Sequence, residues 1–241
     1  MEIQDFSSGF DTLLNSYAYS ANSGMEGPLR DIKLDEFEKS QFLTKAQEEI
    51  VLSLYTGRNS SFQSFEETEE LRRYLSDLVR EETLSPNVYS DKPHGVDSRS
   101  VFFTLPPTLW FITYENVTLI QGKCAGHTSM QVVPVTQDEY HKIRKDPFRG
   151  ANDHRALRLD LSGNFVEIIC KYPIKEYAIR YIVKPTPILL TSLRGEGLQL
   201  EGLQDPQNCQ LHEALHQRIL EKAVLMALQS KGHVMSTSQS N

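Results

Sequence analysis

The chain has 241 residues, 39% of them hydrophobic and 24% charged, and its formal net charge is -7. This is the composition of an ordinary globular protein that can bury a core. The acidic balance argues against a general nucleic-acid-binding protein, which needs clustered Lys and Arg to displace counterions. No segment approaches the roughly 18 consecutive apolar residues of a membrane span, so we expect no membrane association.

The first 90 residues carry helical patterns. Apolar residues recur at helical spacing from Phe10 to Tyr17 and again from Leu34 to Leu54. A third helix is predicted over residues 64–82, because glutamates crowd its first turns and arginines follow, an order that complements the helix dipole. We therefore predict an N-terminal helical region over residues 1–90, with a mobile start from Met1 to Gly27.

The composition then changes toward strands. Six segments are rich in β-branched and aromatic residues: 99–105, 109–120, 129–135, 155–161, 164–172 and 176–184. A short helix after Thr136 separates the third segment from the fourth. Helices, then a run of strands, then a last helix predict an α+β fold with a central, mostly antiparallel β-sheet and a C-terminal packing helix. We assign the β-rich core to residues 99–200.

The last helix is predicted to begin near Asn208 and to end at Lys231, within a region 205–232. A Ser- and Gln-rich tail, residues 233–241, is expected to be disordered. Five apolar residues form a stripe along the helix, and they are the candidates for packing or subunit contact: Leu211, Leu215, Ile219, Ala223 and Met226. A helix that is apolar most of the way round is buried on several sides.

The start of this helix also matches a zinc motif. His212, Glu213 and His216 have the HExxH spacing, which on a helix places two imidazoles one turn apart with a glutamate that can activate bound water. A catalytic zinc needs a third protein ligand. The extended motif requires glycine where Ile219 stands, and no Asp, Glu or Cys follows Glu221. We therefore predict a packing helix, no enzyme, no metal and no cofactor; a zinc-dependent peptidase is the alternative.

A basic stretch lies between residues 141 and 158 of this acidic chain. Four of its cations are candidates for contact with phosphate or with a protein: Lys142, Arg144, Lys145 and Arg149. His141, His154, Arg155 and Arg158 extend it. The low net charge favours a solvated face or a protein contact, and a nucleic-acid-binding accessory protein is the second alternative.

Four phrases of the sequence, taken in order, resemble one family. They are EFEKS with FLTKAQEE in residues 36–49, VPVTQDEY with DPFR in residues 133–149, YIVKP with PI in residues 181–188, and LHE leading into IL and AV in residues 211–224. Each is similar to a segment of structural proteins from crAss-like tailed bacteriophages that infect Bacteroidetes. The resemblance covers residues 34–230.

The resemblance implies a virion protein without chemistry of its own. Such proteins form ring-shaped head-to-tail connectors, or adaptors, that join the portal to the tail. The expected partners are copies of the chain in a ring, the portal protein and other connector or tail ring proteins, with genomic DNA passing through the lumen. The expected location is the virion, after assembly in the bacterial host cytoplasm. Strand edges and the segment from Met1 to Gly27 are the expected contact regions.

Overall fold

The computed structural model describes residues 1–21, 33–57, 68–87, 95–120, 126, 128–195 and 197–230. The chain divides into two compact units. A helical unit comprises Met1–Leu78 and Pro185–Asn241, and a sheet unit comprises Val79–Lys184. The predicted division into a helical region 1–90, a β-rich core 99–200 and a C-terminal helix region 205–232 remains a proposal. The predicted tail at residues 233–241 lies outside the described residues.

Five α-helices occur in the described part of the chain. They are α1 (Ile3–Ala21), α2 (Glu36–Thr56), α3 (Glu69–Tyr74), α4 (Gln137–Ile143) and α5 (His216–Ser230). Short 3-10 turns occupy Ser76–Leu78 and Glu213–Leu215. None of these helices has the length and apolar character needed to cross a bilayer.

Helices α1, α2 and α5 form the core of the helical unit. Asp35 caps the start of α2, and its side chain accepts a hydrogen bond from the Glu38 backbone in a capping box. Gly57 caps the end of the helix with a φ of 73°, which suits glycine. The start of the chain was predicted to be mobile. Instead, α1 buries Phe6 and Phe10 completely, while residues 22–27 lie outside the described residues.

The predicted helix over residues 64–82 is wrong in its second half. Helix α3 ends at Tyr74, and Val79–Leu84 form a strand instead. This strand pairs antiparallel with residues 177–182, from Val79 opposite Ile182 to Leu84 opposite Tyr177. Pairing with a distant strand overrides the helical preference of the charged residues between them, because propensity is only a weak local bias.

Seven strands of the described chain form one sheet in the sheet unit. They are β1 (Val79–Leu84), β2 (Ser100–Thr104), β3 (Leu109–Leu119), β4 (Ser129–Pro134), β5 (Arg155–Asp160), β6 (Phe165–Ile169) and β7 (Ile174–Val183). Their order is β1-β7-β3-β4-β5-β6-β2. The neighbours are antiparallel except for β4 and β5, whose parallel connection contains α4. The six predicted strands and the α+β class are confirmed.

The sheet curls so that its two edges approach. The backbone N–H of Asn87, just after β1, donates to the carbonyl of Phe102 in β2 at 2.8 Å. A large apolar cluster that includes Phe103, Val117 and Tyr177 fills one side of the sheet. A smaller cluster joins α4 to β5 and β6, and it contains Tyr140, Ile143, Leu157, Leu159 and Ile169. Helix α4 is therefore held firmly against the sheet.

Candidate functional site

The last helix begins later than the sequence predicts. Helix α5 starts at His216, and His212 caps the preceding 3-10 turn by accepting a hydrogen bond at Nδ1 from the Ala214 backbone at 3.2 Å. The predicted start at Asn208 is wrong because Gln207 pairs with Leu189 through two backbone hydrogen bonds of 2.9 and 3.1 Å. That bridge holds the chain extended immediately before the turn.

The two histidines of the HExxH text therefore lie in different surroundings. His212 is exposed beside the ring of Tyr74, with 5.5 Å between the ring centroids. His216 is buried, with Nε2 at 2.8 Å from the Leu211 carbonyl oxygen and Nδ1 at 2.8 Å from the Met1 amine. Burial lowers the pKa of His216 despite the hydrogen bond to Leu211. Both of its nitrogens are occupied by the fold, and no group of three metal-binding side chains occurs among the described residues.

The predicted apolar stripe splits into two parts. Its first four members, Leu211, Leu215, Ile219 and Ala223, are buried. Met226 is only partly buried and borders an open groove between α2 and α5. The stripe is therefore mostly core, and its last member reaches a surface.

The α2–α5 groove has a volume of about 640 Å³. Ile50, Leu225 and Met226 supply its apolar lining, and Leu225 is 37% exposed. Two carboxylates, Glu49 and Glu221, and two cations, Arg218 and Lys222, supply its charged lining. Lys222 lies 2.8 Å from Glu49, so one cation of the groove is already paired within the chain. The groove is thus partly apolar, charged at its sides and open to water.

The predicted basic stretch is divided by the structure. Lys142, Arg144, Lys145 and Arg149 are all exposed on α4 and the loop that follows it. Arg149 also pairs with Glu139 of α4 at 2.7 Å. These four candidates share one surface element.

Arg158 does not belong to this surface, although the sequence placed it in the basic stretch. It is only 8% exposed, and its Nη1 lies 2.6 Å from Glu115 of β3. Its Nε lies 3.0 Å from the carboxylate of Asp160, so two carboxylates balance the charge of this guanidinium. Burial raises the pKa of Glu115, and the Tyr177 hydroxyl donates to the same carboxylate at 2.5 Å. This cluster belongs to the interior of the sheet unit.

The loop after α4 presents a residue that the sequence reasoning missed. Phe148 is 83% exposed, far more than the other exposed large hydrophobic residues of the described chain. It is neighboured in sequence by the exposed cations of α4 and the loop. We call Phe148 together with Lys142, Arg144, Lys145 and Arg149 the Phe148 knob. A lone aromatic residue in a loop has no periodicity, and the Asp-Pro turn before it was the available signal.

Hydrogen bonds to Asp146 fix the backbone of this loop at Phe148 and at the two residues that follow it. The Asp146 carboxylate accepts from the Phe148 N–H at 2.8 Å and from the Arg149 N–H at 3.2 Å. These backbone donors lower the pKa of Asp146. Gly150 donates to the Asp146 carbonyl at 2.8 Å, and a Cβ at Gly150 would lie only 2.7 Å from that oxygen. Phe148 is therefore held outward by a defined loop.

Comparisons with known proteins agree along nearly the whole chain. Residues 1–239 match the phage tail ring protein 3/4 family. The chain is 42% identical over 234 residues to Ring protein 3 of Bacteroides phage crAss001, covering 96% of each chain. It is 28% identical over 240 residues to Ring protein 4/5 of the same phage, covering 94% of this chain and 92% of the relative. The chain is thus a structural ring protein of the bacteriophage virion, and it belongs to the phage tail ring protein 3/4 family.

Proposed function

We propose that the chain is a head-to-tail connector, or adaptor, subunit that assembles with copies of itself into a ring joining portal and tail. The observation that carries this proposal is the match of residues 1–239 to a family of phage tail ring proteins. Its partners are then the neighbouring copies, the portal protein and other connector or tail ring proteins. Assembly takes place in the bacterial host cytoplasm, and the mature location is the virion.

The proposed role requires no chemistry from the chain. The arrangement at the start of α5 supports this, because His216 is buried with both nitrogens occupied and His212 caps a turn. A zinc-dependent peptidase would need both imidazoles on one helical face together with a third ligand. Metal analysis of the purified chain tests the point, since stoichiometric zinc lost in a His212→Ala variant would contradict a purely structural role.

The ring lumen is proposed to let genomic DNA pass. The net charge of -7 supports an acidic lining, along which DNA phosphates would slide without binding. This part of the proposal concerns the assembled ring. A reconstruction in which the lumen is lined mainly by Lys and Arg would contradict it.

The position in the particle is tested by cryo-microscopy of the virion. The expected result is a closed ring of this chain between the portal and the tail. Density for the chain elsewhere in the particle, or its absence from purified particles, would overturn the connector role. Native mass spectrometry of the purified chain tests the ring itself, and a single defined mass of several copies is expected.

A further inference from the structure

Two exposed surfaces of the chain have complementary shapes, since one projects and the other is concave. One is the Phe148 knob of the sheet unit, and the other is the α2–α5 groove of the helical unit. We propose that Phe148 of one copy docks into the α2–α5 groove of the neighbouring copy in the ring. This inference rests on the proposed function, because it requires copies of the chain to assemble. It identifies the two faces that meet at the contact.

The exposure of Phe148 is the first reason. Removing the apolar surface of a phenylalanine side chain from water is favourable, yet this one is 83% exposed. The exposure of Phe148 does not come from a loosely held loop, since the N–H groups of Phe148 and Arg149 both donate hydrogen bonds to Asp146. Because this backbone is already ordered, only the side chain of Phe148 has to lose freedom on docking, which suits a contact anchor.

The groove offers what an aromatic anchor needs. Ile50, Leu225 and Met226 line it, and its volume of about 640 Å³ exceeds that of one side chain. Leu225 is 37% exposed although it lies in the middle of a helix. Methionine adapts its shape to an inserted ring and makes favourable sulfur–aromatic contacts. Insertion of Phe148 would cover these apolar atoms.

The distribution of charge favours a second copy of the chain as the occupant. The helical unit carries 20 Asp and Glu against 11 Lys and Arg, whereas the sheet unit carries 12 and 14. A basic knob from one copy therefore meets an acidic unit of the next, and such complementarity sets orientation and suppresses wrong pairings. The groove itself holds both signs, and because Glu49 is already paired with Lys222, Glu221 is the carboxylate for Lys145.

Ring geometry provides the last reason. A ring of identical subunits closes through head-to-tail contacts, in which one patch meets a different patch on the next copy. A projecting knob and a receiving groove on one chain form such a pair. Nucleic acid is a poorer occupant for this groove, because the carboxylates of Glu49 and Glu221 balance its cations Arg218 and Lys222 and leave no excess positive charge for phosphate.

Photo-crosslinking of the full chain tests the contact. A Phe148→benzoylphenylalanine variant keeps an aromatic side chain and is mixed with isotope-labelled copies, so that links between copies are distinguished from links within one. The expected product joins residue 148 to the α5 peptide that contains Leu225 and Met226, or to the α2 peptide with Ile50, of another copy. The matched control is Tyr114→benzoylphenylalanine, at an aromatic residue of the same unit that is 51% exposed. It should not label those peptides.

Other products decide between the two proposals. Links from residue 148 only within its own chain, or to a different surface such as the cleft beside Tyr74 and His212, would overturn the docking inference while the ring stands. The same holds for assembled copies that give no link at all. A wild-type chain that stays monomeric at every concentration contradicts the proposed ring, and the inference falls with it.

Substitutions measure the strength of the contact. Phe148→Ser should weaken self-association at least tenfold, and Phe148→Tyr should keep it within a few fold. Leu225→Asp, on the receiving side, should produce a comparable loss. The double variant should lose little more than either single variant, since partners in direct contact are not additive. The proposal would be overturned if the losses of association in the two single variants added up in the double variant, or if Phe148→Ser associated as strongly as wild type.

Discussion

Helix α5 and the loop after α4 treat apolar side chains in opposite ways. In α5, Ile219 and Ala223 are buried, whereas Phe148 in the loop is 83% exposed. The helix gains stability by placing a repeating apolar face against its neighbours. The loop uses its backbone hydrogen bonds to fix a conformation in which one aromatic side chain is exposed to water. We propose that the buried face of α5 serves folding and that the loop, with the exposed face of α5 in a neighbouring copy, serves assembly. Each substitution below tests one side of this comparison.

The largest effect is expected in the buried stripe. Ile219→Ala should destabilise the fold by about 2–5 kcal/mol, because the removed methyl groups leave a cavity in a packed interior. Urea unfolding followed by circular dichroism measures the change. Leu225→Ala on the same helix is the matched control and should cost under about 1 kcal/mol, since this side chain is partly solvated. Equal losses in the two variants would contradict the division between core and surface.

The second largest loss of stability is expected from substitution of Gly150, because this residue permits the turn that carries Phe148. A Cβ there would lie 2.7 Å from the Asp146 carbonyl and 2.9 Å from that of Ile143. Gly150→Ala is expected to cost about 1–3 kcal/mol, as the backbone has to shift. Gly195→Ala is the control, since a Cβ at that position meets nothing within 4 Å. A neutral Gly150→Ala in the same unfolding assay would show that the loop is less constrained than its hydrogen bonds indicate.

The cap of α4 should matter less. Thr136 accepts a hydrogen bond from the Glu139 N–H at 3.2 Å, and Thr136→Ala removes this acceptor at a cost of about 1 kcal/mol. Thr136→Ser keeps the hydroxyl and should restore most of the loss. Thermal unfolding of the two variants beside wild type measures the difference, and identical midpoints for all three would argue against the cap.

A pH dependence follows from His216. Burial lowers the pKa of His216 in the folded chain, whereas a histidine in an unfolded chain has a pKa of about 6.5. The unfolded state therefore binds the proton more readily, and stability should fall as the pH drops below that value. Above it, this group should leave stability unchanged. His216→Gln should flatten the slope, while His212→Gln, at an exposed position, should keep it; unfolding curves from pH 5 to 8 compare them.

The smallest effect on folding is expected at Phe148 itself. Phe148→Ser should change the free energy of unfolding by no more than about 0.5 kcal/mol, as for other exposed positions. Urea unfolding at a concentration where the chain is monomeric measures this free energy without a contribution from assembly. A loss above about 1.5 kcal/mol would show that the Phe148 side chain packs against its own chain, contrary to this account.

Much of the fold could be predicted from local signals. The six strands and the cap of α4 follow from composition and capping chemistry, which act over a few residues. Strand β1 could not be predicted in this way. Its Arg80, Glu81 and Glu82 show no apolar alternation, and it is fixed by pairing with residues about a hundred positions away. The start of α5 likewise depends on the bridge between Leu189 and Gln207.

The candidate site was predicted only in part for related reasons. The sequence identified Lys142, Arg144, Lys145 and Arg149, because charge clusters are visible without a structure. It could not separate Arg158, which is buried beside Glu115 of a different strand. For Phe148 the Asp-Pro turn indicated only a loop, since the exposure of an aromatic residue is recognised only when the surrounding structure is known.

The most direct test compares assembly and folding in one variant. Native mass spectrometry of wild type and Phe148→Ser should give a multi-copy mass for the first and chiefly monomer for the second, with the same thermal midpoint for the monomeric fold. That result would separate the surface that assembles from the core that folds. The same multi-copy mass in both proteins, or a clearly lower midpoint in the variant, would contradict the account.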